Sequence, residues 1–310
     1  MNDVTGRGQM SVSIILNDMD RSADAAHGFR SWMLQETDRP YEVILNLLND
    51  RESMFRGLAE GCSPMCRPII NVYPRPAFFN IAAVNNLGLH VSSGEYVFFC
   101  NSDIIYPSSF LRTVVSELSR RVIGYALGAR VNLTARQTQA LRRPVSYTSS
   151  SKYDGLVGFE NIPGRMLSIG CSPWMVRRDV ASAIGGFDPR VCCHEDSEFN
   201  DRVIHYLRRK GLQQFIFAVS SLFGYHLDHP ASELYWLSTQ SKAILEPRRQ
   251  RLLADPESEE DVLPTRLDSL DALLADLRLT APPPPSPMQW QLPRTAYRRL
   301  RGAVRALIQG

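Results

Sequence analysis

Apolar residues along the first 120 positions come in short runs that alternate with segments of helical period. Ser11 to Leu16 (SVSIIL), Tyr41 to Leu48 (YEVILNLL), Pro68 to Tyr73 (PIINVY) and Tyr96 to Cys100 (YVFFC) are each too short for a helix and rich in β-branched and aromatic side chains, which predicts buried strands. Between them the pattern predicts helices: one reaching about Gln35, one over RESMFRGLAEG with Gly61 as its stop, one over AFFNIAAVNNLGLHV, and one over SSFLRTVVSEL after Pro107. Such alternation predicts a parallel sheet covered on both faces. Further on, 122–132 and Met166 to Val176 read as strands, with Thr134 to Arg165 between them as a long polar loop or pair of loops. RRDVASAI predicts a short helix before the Gly185-Gly186 turn. Glu195 to Lys210 is the clearest helix: Phe199, Val203 and Leu207 repeat every four residues, acids load its amino end and bases its carboxyl end. Gln214 to Pro230 supplies a last strand and a His226-x-x-His229 loop.

Beyond Pro230 the pattern changes. Two helical segments flank the acidic stretch ESEED, APPPPSP (Ala281 to Pro287) is a stiff polyproline linker, and TAYRRLRGAVRALIQG is a basic amphipathic helix. The division expected is 1–230 as the main domain, 231–280 as a helical extension, 281–287 as linker and 288–310 as the terminal helix. That last helix could rest on an anionic membrane, dock on a partner, or pack back on its own domain.

A length of 310 residues gives ample material for a core, and a net charge of +3 is too mild to make nucleic acid a main partner. MNDVTGRGQM has no apolar run resembling a signal peptide, and no later run approaches a membrane span, so a cytoplasmic protein is expected, with the inner face of the membrane as its reach through the terminal helix. The six cysteines lack the spacing of a disulfide framework, and reduced thiols are the default. Cys62-x-x-x-Cys66 with Cys192-Cys193-His194 could form a zinc site, but no CxxC pair supports one.

The chemistry centres on Asn101-Ser102-Asp103, which stands where the fourth strand runs out. Ligands of open α/β sheets collect outside the carboxyl edges of the strands, so acid there is well placed for a metal-bound nucleotide. A turn and helix cap is the plainer reading of an isolated N-x-D.

Five elements in order give that tripeptide company. SIILNDMDR (Ser13 to Arg21), VNNLGLHV followed by GEYVFFCNSD, then GGFDP, and HEDSEFNDRVIHYLRRKG resemble, over residues 10–230, the family 2 type glycosyltransferases of the GT-A fold. The resemblance implies a Rossmann-like, mostly parallel α/β sheet with helices on both faces and a helical C-terminal extension. It implies transfer of a sugar from a nucleotide diphosphate donor to a hydroxyl of a saccharide, a glycolipid or another acceptor, as in polysaccharide synthesis. Asp103 is then the main ligand of a divalent cation, Mn²⁺ or Mg²⁺, which neutralises the departing diphosphate, and His226 completes that site. Asp196 matches the general base, with Glu195 as its partner, and a single base opposite the leaving group implies inversion. The donor nucleotide falls to Asp18, Asn46 to Asp50, Asn86, Asn101 and Ser102, and the acceptor to Trp174, Phe187 and the 134–165 loop.

The chain departs from the family at four places: Asn17 replaces a proline, Leu47-Leu48 an acid pair, Asn85 an arginine and Asn101 the first acid of Asp-x-Asp. Those departures keep open a GT-A-shaped binding or scaffold protein without catalysis. A nucleotidyltransferase would need a glycine-rich phosphate loop that is missing after the first strand. A structural protein built around its C-terminal helices would leave Asp103, Asp196 and His226 unexplained.

Overall fold

The computed structural model describes residues 12–142, 168–228, 237–259, 261–263 and 267–278. The polyproline linker, the terminal amphipathic helix, His229 and most of the 134–165 segment lie outside them.

Strands β1 (Val12–Asp18), β2 (Tyr41–Leu47), β3 (Cys66–Val72) and β4 (Tyr96–Phe99) run parallel, and the apolar runs of the sequence supply all four. Helices α1 (Ser22–Met33), α2 (Glu52–Ala59), α3 (Ile81–Val91) and α4 (Phe110–Arg120) follow them in turn. One residue class decides where α3 starts. Asn80 Oδ1 accepts from the Ala83 amide at 3.2 Å, so this N-cap places the first helical residue at Ile81, four residues later than the apolar pattern alone predicts.

The second half of the sheet is mixed. β5 (Ile104–Ile105), β6 (Tyr125–Asn132), β7 (Ser168–Arg177) and β8 (Ile216–His226) extend the order to β3-β2-β1-β4-β7-β6-β8-β5. β7 lies antiparallel between β4 and β6, while β6 and β8 are parallel and β5 is antiparallel to β8. The two-residue strand β5 escapes sequence reading because it is too short to carry a period. It matters nonetheless, since its pairing of Ile104 with His226 draws β8 to the acidic tripeptide.

The segment read as a polar loop begins as a helix, α5 (Ala135–Arg142). Its start is a capping box. Thr134 Oγ1 accepts from the Gln137 amide and Gln137 Oε1 accepts from the Thr134 amide at 2.8 Å, which satisfies two donors that would otherwise be orphaned. The T-x-x-Q signal is present in the sequence, but the helix it opens has no apolar stripe to announce it.

Helices α6 (Arg178–Ala183) and α7 (Glu195–Arg209) cover one face of the sheet, with Phe199, Val203 and Leu207 buried as their spacing predicts. They share that face with α3, and α1, α2 and α4 cover the other. Two C-terminal helices, α8 (Leu237–Ala254) and α9 (Leu270–Leu277), pack back on this body. α9 seats Leu273 and Leu277 against Val84 and Leu87 of α3, and α8 lies on α7. Among the described residues no helix is long and apolar enough to cross a membrane.

Candidate active site

β4 ends at Phe99, and Cys100 to Asp103 turn away at the carboxyl edge of the sheet. The turn is packed tightly from below by α1. A methyl group on Gly28 would run into the Ser102 carbonyl oxygen, so only glycine lets this helix approach the tripeptide backbone. Ser102 thus contributes its main chain to the packing.

Asp103 is 8% exposed and reached from two directions. Arg21, at the start of α1, donates to Oδ2 at 2.6 Å and to Asp24 at 2.7 Å. From β8, His226 Nε2 stands 3.6 Å from Oδ1. The sequence expectation paired Asp103 with His226 and overlooked Arg21, whose position at a helix N-terminus gives no hint of a contact 82 residues on. Carboxylate oxygen and imidazole nitrogen are donor types that Mn²⁺ accepts, whereas Mg²⁺ prefers oxygen. No cluster of three His, Cys, Asp or Glu side chains with metal-binding geometry occurs among the described residues.

Beside the tripeptide a cavity of about 250 Å³ is lined by Asn101 and Cys100 of this turn, Phe99, Ile81 and Asn85 of α3, Arg130 of β6, Trp174 of β7, and Glu195 and Asp196. Two acids distant in sequence from Asn101 therefore share a cleft with it. Glu195 and Asp196 are the first residues of α7, where the helix dipole favours negative charge. Burial, and then the charge of Asp196, push the Glu195 carboxyl up to about 8. Asp196 Oδ1 accepts from the Ser197 amide at 2.7 Å.

The turn that aims these acids is strained. His194 has φ 66, the one non-glycine residue with positive φ among those described, and it is held there by Ser238 of α8, whose Oγ lies 2.7 Å from its Nε2. The Cys193 amide donates to Ser241 Oγ at 3.0 Å. α8 therefore fixes the approach to the acids.

On the nucleotide side two of the four departures from the family pattern, Asn17 and Asn85, are joined to each other. Asn71, Asn46 and Asn17 stand opposite one another at the ends of β3, β2 and β1. Their amides form a relay: Asn71 Nδ2 donates to Asn46 Oδ1 at 3.3 Å, Asn46 Nδ2 to Asn17 Oδ1 at 2.9 Å, and Asn17 Nδ2 to Asn85 Oδ1 at 2.6 Å. Asn85 enters the cavity at the end of that relay, with its amide oriented by it. Single positions in the sequence give no sign of this, because the relay exists only once the strands are in register.

Asp18 is 2% exposed and ties together the start of α1, accepting from the Arg21 amide at 3.1 Å, Ser22 Oγ at 2.6 Å and Asn49 Nδ2 at 2.8 Å. Asp50 lies apart from the cavity with its side chain 93% exposed. It borders a second cleft of about 420 Å³ together with Met19, Asp20, Asn49, Arg51, Met54 and Arg75, over the ends of the first two strands.

Two expected ligand contacts are structural instead. Asn86 is 3% exposed, and its side chain both donates to the Phe187 carbonyl at 2.9 Å and accepts from the Phe187 amide at 2.8 Å, clamping the turn formed by Gly185 (φ 77) and Gly186 (φ 67). Phe187 is 1% exposed, stacked on Phe199 at 4.3 Å and packed against Phe99 and Trp174. Large apolar area wins over ligand contact at that position. Trp174, from the same ring cluster, does reach the cavity wall. The far side of the turn is braced by Arg202, fully buried, which donates to the Ile184 and Gly186 carbonyls at 2.8 and 2.6 Å and pairs with Glu198 at 2.6 Å. Arg248 of α8 joins Glu198 and, at 2.9 Å, Asp188.

Cys62, Cys66, Cys100, Cys192 and Cys193 are free thiols. Burial pushes Cys66 and Cys100 up to about 12, far from the range of a metal-binding or nucleophilic thiolate.

No family model matches the chain, and no curated protein does. Among solved structures, a 1–349 fragment of S. aureus TarS is similar at 12% identity with a TM-score of 0.56, over 86% of this chain and 70% of that one. The same fragment in complex with UDP matches at 13% identity and a TM-score of 0.53, over 79% of this chain and 70% of that one. The fold is GT-A. The longer TarS chain, at 12% identity and a TM-score of 0.55, is covered over 42% of its length by 79% of this chain, so the GT-A body described here spans less than half of that relative.

Proposed function

We propose that this GT-A chain transfers a sugar from a nucleotide diphosphate donor to a hydroxyl acceptor, with inversion at the anomeric carbon. The observation that carries the reading is the cavity that Asn101, at the sheet edge, lines together with Glu195 and Asp196 at the head of α7. An acceptor hydroxyl entering there has Asp196 to take its proton as the new bond forms. Glu195, its carboxyl raised by burial and by the charge of Asp196, would act as a donor beside the base rather than as a second base.

Asp103 and His226 would hold a divalent cation, with Arg21 orienting the carboxylate through its other oxygen. A cation bound there would neutralise charge on the departing diphosphate. Asn85, oriented by the asparagine relay, and Asn101 offer amides to the donor. The cleft beside Asp50 and Arg75, over the ends of the first two strands, is where its nucleoside would lie; the similar TarS fragment has been solved with UDP and with UDP-GlcNAc. The extent 1–230 is proposed as the catalytic body, with α8 as an added brace for its base.

One observation favours a second reading, a binding protein without catalysis: Arg21 already pairs with the lone acid of the tripeptide at 2.6 Å. Thermal unfolding with UDP, GDP and their common sugar conjugates, with and without Mn²⁺, tests the first. A ligand that binds only the folded state raises the melting temperature, and a conjugate that also turns over to free nucleoside diphosphate dismisses the second reading. No shift with any conjugate would contradict both.

A further inference from the structure

Arg130 is fixed on β6 by backbone pairing with Ser168 of β7 and Gly224 of β8, and it lines the cavity together with Asn85, Asn101, Glu195 and Asp196. Its Nε is shielded from solvent and has no hydrogen-bond partner, and among the described residues no carboxylate lies within ion-pair distance of its guanidinium. Its counterparts around the site are all engaged. Arg21 holds Asp103 and Asp24, Arg202 holds Glu198, and Arg248 holds Asp188. Native proteins satisfy almost every shielded polar group, and an arginine left with an unanswered N–H in a cavity wall marks a place where a ligand completes the bonding.

The chemistry of that ligand follows from the side chain. A guanidinium is a planar fork of N–H donors that stays charged at any physiological pH, and it matches the tetrahedral oxygens of phosphate. Burial raises the Glu195 carboxyl beside the cavity, which leaves less negative charge there to repel an anion. We propose that Arg130 is the receptor for a phosphate group brought into this cavity by a substrate, an inference that rests on the glycosyl-transfer reading of the cleft. The phosphate comes either from the donor diphosphate or from a phosphorylated acceptor.

The test titrates wild type, Arg130→Met and Arg130→Lys with UDP, GDP and inorganic pyrophosphate in the presence of Mn²⁺, and then titrates the UDP-saturated proteins with glycerol 1-phosphate. Arg130→Met should lose about tenfold or more in affinity in one arm, as expected for a hydrogen bond to a charged group, with Arg130→Lys in between. Loss toward diphosphates assigns the group to the donor, and loss toward glycerol phosphate alone assigns it to the acceptor. Because the Arg130 Nε has no hydrogen-bond partner among the described residues, Arg130→Met should melt at or above the wild-type temperature, whereas a structural arginine would lower it. Wild-type affinity of Arg130→Met in both arms overturns the inference and leaves the glycosyl-transfer reading standing. Failure of wild type itself to bind UDP, GDP or pyrophosphate overturns both.

Discussion

Ser238 Oγ lies 2.7 Å from Nε2 of His194, joining the first turn of α8 to the strained residue from which Glu195 and Asp196 spring. A non-glycine residue in left-handed conformation costs of order 1–3 kcal/mol and persists only where its surroundings impose it. Here the imposing element is a helix that belongs to no strand-helix unit of the sheet, so the C-terminal extension and the cavity chemistry are mechanically linked.

Ser238→Ala should therefore slow turnover without changing donor affinity. Displacing a general base by a fraction of an ångström costs on the order of tenfold in rate, and the proposed donor contacts Asn85 and Asn101 belong to α3 and to the turn after β4 rather than to α8. Initial rates and nucleoside diphosphate titrations on the variant check this, and a donor affinity that falls in step with the rate would place Ser238 in folding rather than in aiming the acids.

Glu195→Gln isolates the raised carboxyl. Folded, Glu195 titrates at about 8 against an ordinary value of 4.5, so between those pH values the folded chain keeps a proton that the unfolded chain releases. Wild-type stability should then fall relative to Glu195→Gln as pH rises from 4.5 to about 8, and the gap should level off above that. Melting temperatures of the two proteins across this range give the answer. The variant should also keep most of its transfer rate at pH 7, because an amide copies the protonated carboxyl. A gap that stays flat with pH would contradict the protonated state.

Glu198 is 2% exposed, paired with Arg202 and Arg248, and through Arg202 it supports the Ile184 and Gly186 carbonyls. Glu198→Ala leaves Arg202 buried without its carboxylate and Arg248 with Asp188 alone, and should destabilise by about 3–5 kcal/mol in urea denaturation. A loss under about 1 kcal/mol, the range of exposed pairs, would show that the network is relaxed in solution.

The parts of this molecule that were legible in its sequence are those governed by local pattern. The four parallel strands, the helix carrying Phe199, Val203 and Leu207, and the position of Asn101 to Asp103 at a strand end all follow from apolar period and turn chemistry. What escaped depends on partners far along the chain. The Arg21–Asp103 pair, the asparagine relay into Asn85 and the unanswered Arg130 arise only when strands take their register, and nothing local distinguishes those residues. α5 escaped for the opposite reason: its capping box is local, but a helix of eight mostly polar residues lacks the stripe that period analysis detects. Phe187 and Asn86 were assigned to ligands on resemblance, and packing claimed them both.

The most direct measurement of the central claim pairs transfer rate with donor affinity in Asp196→Asn, using whichever nucleotide sugar stabilises the wild type with Mn²⁺. If Asp196 is the base facing an acceptor across the cleft from Asn101, the rate should fall by about 10²–10⁴ while nucleoside diphosphate affinity stays at the wild-type value. A variant that still turns over at a substantial fraction of the wild-type rate, or one that loses the nucleotide along with the activity, would contradict it.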